Sequence, residues 1–241
     1  LPWYLQDINV FIVESDKGSH KKITARHAVE KNICSEMHHV TLGTAMRAKD
    51  AVVLSYKGSA AMKYRSAWYG MEPTDVRDQA RLLASENSLA SVDTTMTNKF
   101  LEEQEIRIHA VGEASSRLDR IESFITFQPK NHLLREFHKR FSSTSRLNPI
   151  FLDEPFKLRM EWNLTIPNGY KAADLPAARR FSGVGRATCS VTYAVAKDTL
   201  KIVAEDTFPE TIIDVPQYQE FVTFLSASIE AVEKEVVLTK K

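Results

Sequence analysis

The sequence predicts a mainly β, or α+β, protein with antiparallel sheets in a sandwich-like arrangement. One short helix is predicted in the first half and one long amphipathic helix near the C-terminus. Three observations lead to this fold class: one long segment alternates between apolar and polar residues, several shorter segments do so between turn residues, and two segments carry apolar residues at helical spacing. With 241 residues, 43% hydrophobic and 26% charged, the chain has globular composition and enough length to bury a sizeable core.

The long alternating segment covers residues 156–166. Its apolar residues occupy every second position: Phe156, Leu158, Met160, Trp162, Leu164 and Ile166. Because successive side chains of a strand point to opposite faces, the pattern predicts a strand with one face in a core and the other in solvent. Pro155 precedes this strand, and Pro167-Asn168-Gly169 ends it with a turn. A strand buried on both faces in a parallel sheet would be apolar throughout, so the sheet is predicted to be antiparallel.

Shorter alternating segments predict two hairpins. Residues 188–195 and 199–208 flank a turn at Lys197-Asp198, and residues 40–47 and 51–56 flank a turn at Lys49-Asp50. Three further short strands complete the predicted set: residues 62–68, 105–111 and 121–127.

Residues 74–87 form the predicted short helix. Thr74 follows Pro73 as the N-cap, Asp75 and Asp78 lie near the positive end of the helix dipole, and apolar residues recur on one face. That face consists of Val76, Ala80, Leu83 and Ala84.

The long helix is predicted to begin near Asp214, with Pro216 in its first turn, and to run to about Lys234. Apolar residues recur along it at three- and four-residue steps: Tyr218, Phe221, Val222, Leu225, Ile229 and Val232. It is the only long amphipathic helix predicted after Pro149, so we expect it to cover the sheet, with residues 236–238 as a final strand.

Three regions are predicted. Residues 1–35 are a tail or linker from an upstream domain, residues 36–148 a β-rich domain with one helix, and residues 149–241 an antiparallel β domain covered by the C-terminal helix. The linker candidate, residues 142–153, is rich in serine and contains Asn148-Pro149. Because the chain begins at Leu1 without an initiator Met or a signal segment, we expect a processed product or an excised piece of a longer protein.

Charge and hydropathy exclude some functional classes. The 32 Lys and Arg residues nearly balance 31 Asp and Glu residues, and the formal net charge of +1 gives no global attraction to nucleic acid or anionic membranes. The longest apolar runs are about four residues, so no membrane span is predicted.

Cys34 and the pair His38-His39 are the candidate metal ligands. A zinc site needs three or four converging ligands, and the sequence has no second Cys/His pair at ligand spacing. On a strand, His38 and His39 would also point to opposite faces. No metal ligand and no cofactor site is therefore predicted.

Cys34 and Cys189 are the only two cysteines. One long-range disulfide between them is possible by count, and the sequence leaves open whether they are free or bridged. Cys189 lies on the apolar face of a predicted strand and is expected to be a buried, inert thiol. Cys34 is the remaining candidate nucleophile, and a thiol hydrolase would require a histidine within hydrogen-bond reach of its sulfur. No catalytic residue is assigned.

Two further motifs suggest binding but have simpler structural explanations. Residues 130–140 form the most basic stretch, with Phe137 inside it and Phe141 beside it, yet a solvated strand or loop edge explains it better than stacking on nucleic acid. Residues 182–186, Ser-Gly-Val-Gly-Arg, lack the following helix of a phosphate loop and are predicted to form a turn.

A series of short motifs occurs in a defined order between Ser55 and the C-terminus. They are Tyr56-Lys57-Gly58-Ser59-Ala60 followed by Tyr64-Arg65, then Arg146-Leu147-Asn148-Pro149-Ile150, Glu154-Pro155, Leu164-Thr165-Ile166-Pro167-Asn168-Gly169-Tyr170, Leu175-Pro176, Val215-Pro216-Gln217-Tyr218-Gln219-Glu220-Phe221 with Phe224, and Val236-Val237-Leu238-Thr239-Lys240. Their order and spacing resemble the C-terminal region of bacterial transglutaminase-like proteins, in which β-rich domains of unassigned function flank a papain-type core.

The resemblance implies a non-catalytic region. The family's Cys–His–Asp set lies in its upstream core, and no segment of this chain matches the motifs that carry it. The implied partner is an upstream thiol core of the same polypeptide or of another protein. Since such proteins are usually exported in Gram-negative bacteria, the implied location is the periplasm, the cell surface or the medium.

Three functional hypotheses follow from the sequence. The first is a non-catalytic accessory region that packs against a thiol core or presents polypeptide to it. The second is a stand-alone peptide- or glycan-binding β-sandwich module, which would need an exposed aromatic platform drawn from Trp3, Trp68, Tyr69 and Trp162. The third is a small hydrolase that uses Cys34.

Overall fold

A computed structural model describes residues 9–14, 18–23, 28–42, 48–85, 93–96, 105–113, 118–121 and 123–241. Its strands are β1 (Asn9–Glu14), β2 (Gly18–Ile23), β3 (Ile33–Leu42), β4 (Ala48–Lys57), β5 (Asp93–Met96), β6 (Glu105–Glu113), β7 (Leu118–Ile121), β8 (Phe124–Phe127), β9 (Ile150–Phe151), β10 (Phe156–Thr165), β11 (Tyr170–Ala172), β12 (Arg179–Ser182), β13 (Thr188–Ala196), β14 (Thr199–Phe208), β15 (Ile212–Ile213) and β16 (Val236–Lys240). Its α-helices are α1 (Ser59–Trp68), α2 (Pro73–Ser85), α3 (His132–Lys139) and α4 (Tyr218–Val232). The predicted fold class, a β-rich protein with a long C-terminal helix, is confirmed.

Eight strands form a large sheet in the order β12-β13-β14-β10-β3-β4-β6-β5. Every neighbouring pair is antiparallel except β10 and β3, which run parallel from Lys157 opposite Ile33 to Thr165 opposite Thr41. The prediction of a purely antiparallel sheet around β10 is therefore wrong on one side of this strand. The alternating pattern is compatible with both neighbours because strand direction does not change which side chains share a face.

The two faces of β10 have the predicted composition, but the polar face is less exposed than predicted. Trp162 and Leu164 are fully buried, as expected from the alternation. On the opposite face Glu161 is only 5% exposed. Its carboxylate pairs with Lys201 at 2.6 Å and with Arg159 at 3.0 Å, and these partners replace the water that the carboxylate loses.

The apolar face of the large sheet is covered by two separate groups of elements. Over β13, β14 and β10 lie α3, α4 and a second sheet of order β11-β16-β8-β7, which together enclose the larger core. Over β4 and β6 lie α1 and α2, which enclose a smaller core. Cys34 contacts both cores, so the gap between the two covers lies above the central strands.

Three local predictions require correction. Residues 62–68, predicted as a strand, belong to helix α1, in which Ala61 and Trp68 are buried. Lys49 and Asp50, predicted as a turn, are paired residues of β4, and the connection to β3 falls at residues 43–47, outside the described residues. Residues 130–140, predicted as a solvated strand or loop edge, contain helix α3, whose Leu134 and Phe137 are buried in the larger core.

Other local predictions are confirmed. β13 and β14 form the hairpin predicted around Lys197-Asp198, and Lys197 has positive φ in its turn. β6 lies where a strand was predicted. Helix α2 begins at Pro73 and carries the buried residues Val76 and Ala80. Of the predicted strand at residues 121–127, β7 includes residue 121, β8 covers residues 124–127, and residue 122 lies outside the described residues.

The C-terminal helix follows its predicted course. A 3-10 turn at Val215–Gln217 leads into α4, and the Asp214 backbone N–H donates to Gln217 Oε1 at 3.2 Å. Three residues of the predicted stripe are deeply buried at positions 221, 225 and 232, while Gln219, Glu220 and Glu230 are exposed. β16 follows as the predicted final strand.

The large sheet and the larger core both extend across the predicted boundary between residues 148 and 149. Val40 and Ala48 pack in the same core as Trp162 and Phe221. Residues 1–35, predicted as a tail, include the β1–β2 hairpin and the start of β3. The division into three regions remains a prediction about independent folding. Among the described residues, no helix is both long enough and apolar enough to cross a bilayer.

Candidate functional site: the α1–α3 cleft

A cleft of about 850 Å³ lies between helices α1 and α3, above the first residues of β3 and β10. We call it the α1–α3 cleft. Its floor includes Cys34, which is paired in register with Leu158 of β10 on one side and Tyr56 of β4 on the other. Its walls include Lys63 and Tyr64 of α1, Phe137 of α3 with the C-cap residue Arg140, and the segment before β10 that carries Asp153 and Glu154.

Asn32 joins the elements at one end of the cleft. Its side-chain Nδ2 donates to the carbonyl of Pro155 at 2.9 Å, and its backbone carbonyl accepts from the N–H of Lys157 at 2.9 Å. Its Oδ1 accepts from the N–H of Ser59, the first residue of α1, at 3.4 Å. Gly58 has φ +64°, and a Cβ there would come within 2.1 Å of Asn32 Oδ1, so this approach of α1 to β3 requires glycine.

Cys34 is a half-buried, neutral thiol. Burial, together with the nearby Glu154 carboxyl, raises its pKa from 9.0 to about 12. A thiol with that pKa is almost entirely protonated at neutral pH and is a poor nucleophile. No hydrogen bond between Cys34 and a histidine is present in the described part of the chain, so the arrangement that a thiol hydrolase would require is not formed there.

Glu154 is a buried carboxyl in the cleft wall. The residue is 7% exposed, and its Oε2 has no hydrogen-bond partner among the described residues. Burial raises its pKa from 4.5 to about 7; Lys63 opposes this shift and Asp153 adds to it. Near neutral pH the group can therefore donate a hydrogen bond in its protonated form or accept two in its ionised form.

The cationic side chains of the cleft already have partners. Lys63 Nζ pairs with Asp153 Oδ2 at 2.5 Å. The Arg140 guanidinium lies 6.0 Å from the centre of the Phe137 ring, and that of Arg146 lies 5.7 Å from the centre of the Tyr218 ring. Lys63 and Arg140 also act on Cys34, since the positive charge of each lowers the pKa of that thiol against the effect of burial.

A buried Glu–His–Asp network adjoins the floor of the cleft. His38 Nδ1 lies 3.0 Å from Asp50 Oδ2, and His38 Nε2 lies 3.4 Å from Glu36 Oε2. Each of the three residues is at most 2% exposed, and the His38 ring stacks on Trp162 with centroids 5.8 Å apart. Both ring nitrogens are engaged by carboxylates, so this histidine is held in a structural network. Cys34 is four residues away on the same strand, about 13 Å at the usual strand rise.

The predicted metal candidates do not converge. His38 is buried and His39 is exposed on the opposite face of β3, as expected for neighbouring residues of a strand. Among the described residues, no group of three His, Cys, Asp or Glu side chains is placed to hold a metal ion.

Cys189 belongs to a second buried polar cluster. It is fully buried, and burial together with the nearby Asp206 raises the pKa of its thiol. Asp206, also buried, has a pKa raised from 3.8 to about 6 and accepts from Asn131 Nδ2 at 3.4 Å. Both cysteines are free thiols, so the disulfide that the sequence left open is not formed.

The remaining sequence candidates are distributed over the fold. Trp162 is fully buried, as predicted, and Trp68 is 4% exposed, whereas Tyr69 is 85% exposed and Trp3 lies outside the described residues. They form no shared aromatic platform in the part of the chain that is described. Residues 182–186 form the predicted turn, with a 3-10 segment at Val184–Arg186 followed by β13.

Sequence reasoning did not identify Glu154, Asn32 or the Glu36–His38–Asp50 network as site residues. In the sequence, Glu154 stands out only as part of the Glu154-Pro155 motif. Nothing local indicates its burial, because that depends on α1 and β3, which lie far away in the chain. A signal for the network was present: Cys34, Glu36, His38 and Val40 share one face of a strand, and charged residues on a buried face must be paired.

Comparison with known families identifies part of the chain. Residues 123–238 match the family described as "Domain of Unknown Function with solved-structure structure (DUF3858)". Comparison with curated proteins and with solved structures gave no match. The matched segment supplies α3, Glu154 and β10 to the cleft, whereas Cys34, Tyr56 and Lys63 lie before it. The second half of this chain is therefore similar to the DUF3858 family over residues 123–238.

Proposed function

We propose that this chain is the non-catalytic accessory region of an exported transglutaminase-like protein, where it supports a thiol core outside the chain or presents polypeptide to it. The observation that carries the proposal is the state of the two thiols: Cys189 is buried, Cys34 is half-buried, and desolvation raises the pKa of each. The ordered motifs described above and the DUF3858 match support it. The proposed location is the periplasm, the cell surface or the medium.

Thiol alkylation tests the non-catalytic part of the proposal. With a pKa of about 12 in place of 9.0, Cys34 should react with iodoacetamide at pH 7.5 about a thousandfold more slowly than a free cysteine thiol. Mass spectrometry of the native chain should show little labelling. The same chain in denaturant, with both thiols exposed, is the control. Preferential labelling of native Cys34 would instead support the hydrolase hypothesis.

The accessory role has its own test in the thiol core encoded in the same reading frame. We expect that core to process a polypeptide substrate faster, or to unfold at higher temperature, when this region is attached than when it is absent. A thiol core whose activity and stability are both unaffected by this region would contradict the accessory role.

A stand-alone peptide- or glycan-binding module is the second candidate. The α1–α3 cleft favours it, because a concave site with aromatic walls and a few polar groups is typical of ligand sites. The exposed aromatic platform that such a module would need does not support it, since Trp68 and Trp162 are both buried.

A further inference from the structure

Two arginines that line the α1–α3 cleft contact aromatic rings instead of carboxylates. The guanidinium of Arg140 lies 6.0 Å from the centre of the Phe137 ring, and that of Arg146 lies 5.7 Å from the centre of the Tyr218 ring. Among the described residues, neither guanidinium forms an ion pair or a hydrogen bond with an acidic side chain. An aromatic ring neutralises no charge, and it leaves the guanidinium N–H groups able to donate to a carboxylate.

The acids that line the cleft differ from these arginines because most of them have a basic partner. Three of the four are paired: Asp153 with Lys63, Glu136 with Lys139, and Glu36 with His38. Burial raises the pKa of the fourth, Glu154, to about 7, so this carboxyl is only partly ionised at neutral pH. The charge of the lining that has no partner of opposite sign is therefore mainly positive, and it lies on Arg140 and Arg146.

The segment between the two arginines is fixed to helix α4. The hydroxyl of Tyr218 donates to the carbonyls of Phe141 and Ser143, at 3.2 and 2.7 Å. Gln219 Nε2 donates to the carbonyl of Thr144. Helix α3 holds the other end, since the first arginine is its C-cap residue. Because this backbone is held in place before a ligand arrives, binding loses less conformational entropy than it would on a free loop.

The rest of the cleft suits an apolar body. Aromatic rings line it on several sides: Tyr56, Tyr64, Phe137, Phe141 and Phe156. Tyr56 and Tyr64 are in mutual contact, with centroids 4.6 Å apart, and the centroids of Phe137 and Phe156 are 5.2 Å apart. The volume of about 850 Å³ is within the range of small-molecule sites, roughly 300–1,000 Å³. The cleft can therefore take up an apolar group and place an anion beside the arginines.

Two other anionic ligands fit this cleft less well. The floor strands β3 and β10 are each paired on both sides, so they offer no free edge to the backbone of an extended polypeptide. A phosphate monoester carries nearly two negative charges at neutral pH, and it would share the cleft with Asp153 and Glu154. A carboxylate carries one charge and matches the fork of a guanidinium.

We propose that the α1–α3 cleft binds a free carboxylic acid with an apolar body. Its carboxylate accepts hydrogen bonds from Arg140 and Arg146, and its body packs against the aromatic walls. The proposal does not rest on the accessory role, because it requires only the cleft and the side chains that line it.

Binding of octanoate to the ¹⁵N-labelled 241-residue chain tests the proposal. The comparison ligands are 1-octanol and octylammonium, which have the same chain length without the negative charge. At pH 7 we expect octanoate to shift the amide signals of Phe137, Arg140 and Arg146, and to bind at least about tenfold more tightly than either comparison ligand. Equal affinity for octanoate and 1-octanol, or tighter binding of octylammonium, would overturn the proposal.

Single substitutions isolate the two arginines. Arg140→Gln and Arg146→Gln each remove one guanidinium, and each should lower the affinity for octanoate about tenfold and leave that for 1-octanol unchanged. Arg180→Gln makes the same change on the exposed edge strand β12 and should leave both affinities unchanged.

Unchanged octanoate affinity in either cleft variant, or an equal loss for octanoate and 1-octanol, would contradict the proposed role of the arginines. Arg140 is exposed and Arg146 is half-buried, so Arg140→Gln is the variant expected to keep its fold in any case. If Arg146→Gln does not fold, Arg140→Gln and the comparison of the three ligands decide.

The peptide N-acetyl-Ala-Leu-Phe, with a free C-terminal carboxylate, tests the source of the carboxylate. It should bind no more tightly than octanoate, since the floor strands offer no edge to its backbone. Tighter binding of this peptide than of octanoate would overturn the assignment to a free acid and would give the site to the C-terminus of a polypeptide.

Discussion

The protonation of Glu154 connects the α1–α3 cleft to the stability of the fold. In the folded chain its pKa is about 7, whereas the ordinary value, expected for the unfolded chain, is 4.5. Between these two values the folded chain holds a proton that the unfolded chain has lost. The contribution of Glu154 to the free energy of unfolding is therefore greatest below about pH 4.5 and falls as the pH rises through about 7.

Glu154→Gln should reduce this pH dependence, because glutamine is neutral throughout the range. We expect the free energy of unfolding, measured by urea denaturation, to fall less between pH 5 and pH 8 in Glu154→Gln than in the unaltered chain. Glu220→Gln, on the exposed face of α4, is the control and should show the original dependence. The same loss of stability in all three proteins would mean that Glu154 is solvated in the folded state.

Helix α4 illustrates how a single element stabilises the larger core. Phe221 is fully buried and contacts Phe141 and Phe208, with ring centroids 5.3 and 6.3 Å away. The hydroxyl of Tyr218, one turn earlier, donates to the carbonyls of Phe141 and Ser143, at 3.2 and 2.7 Å. The helix is thus fixed both to the sheet and to the segment that follows α3.

Phe221→Asp should severely destabilise the protein, because it removes an aromatic side chain from the core and places an unpaired charge there. We expect a loss of at least about 3–5 kcal/mol, or failure to fold. Thr223→Asp introduces the same charge on the exposed face of the helix and should change stability by less than about 1 kcal/mol. The comparison is made by thermal denaturation. An unchanged midpoint in Phe221→Asp would mean that the stripe on α4 is a docking surface instead of core.

The sequence predicted those elements whose periodicity is long and regular, and it missed those whose identity depends on distant contacts. β10 and α4 have unbroken patterns and were identified correctly. Helix α1 was read as a strand because Tyr64 and Trp68 favour strands and its small buried residue, Ala61, gives no strong stripe. The eight residues of α3 were too few to show a helical repeat.

The pairing of β10 with β3 and the burial of Glu154 were equally beyond local prediction. Both depend on a contact between two halves of the chain that alternation and composition do not encode. The candidate site was therefore predictable only in part. The sequence pointed to Cys34, but it did not predict that this thiol is neutral or that Glu154 lies near it.

The continuous sheet predicts that the protein unfolds as one unit. Trp68 reports on the smaller core and Trp162 on the larger core. We expect urea denaturation, followed by tryptophan fluorescence, to give the same midpoint in Trp68→Phe as in Trp162→Phe once the stability change of each variant is corrected for. In each variant the fluorescence transition should also coincide with the transition seen by far-ultraviolet circular dichroism. Two separate transitions would support independent folding on either side of residue 149.

The parallel pairing of β3 with β10 also determines how the chain reaches this fold. Lys157 lies opposite Ile33, so the central ladder of the large sheet joins residues about 120 positions apart, and such non-local pairing makes folding slow. On a ribosome that adds about 5–20 residues per second, β3 would wait roughly 6–24 s for its neighbour to be synthesised. Throughout that interval the nascent β3–β4 hairpin would present a row of unpaired backbone groups on the β3 side. We expect this edge to be where a chaperone, or another nascent copy, first contacts the growing chain.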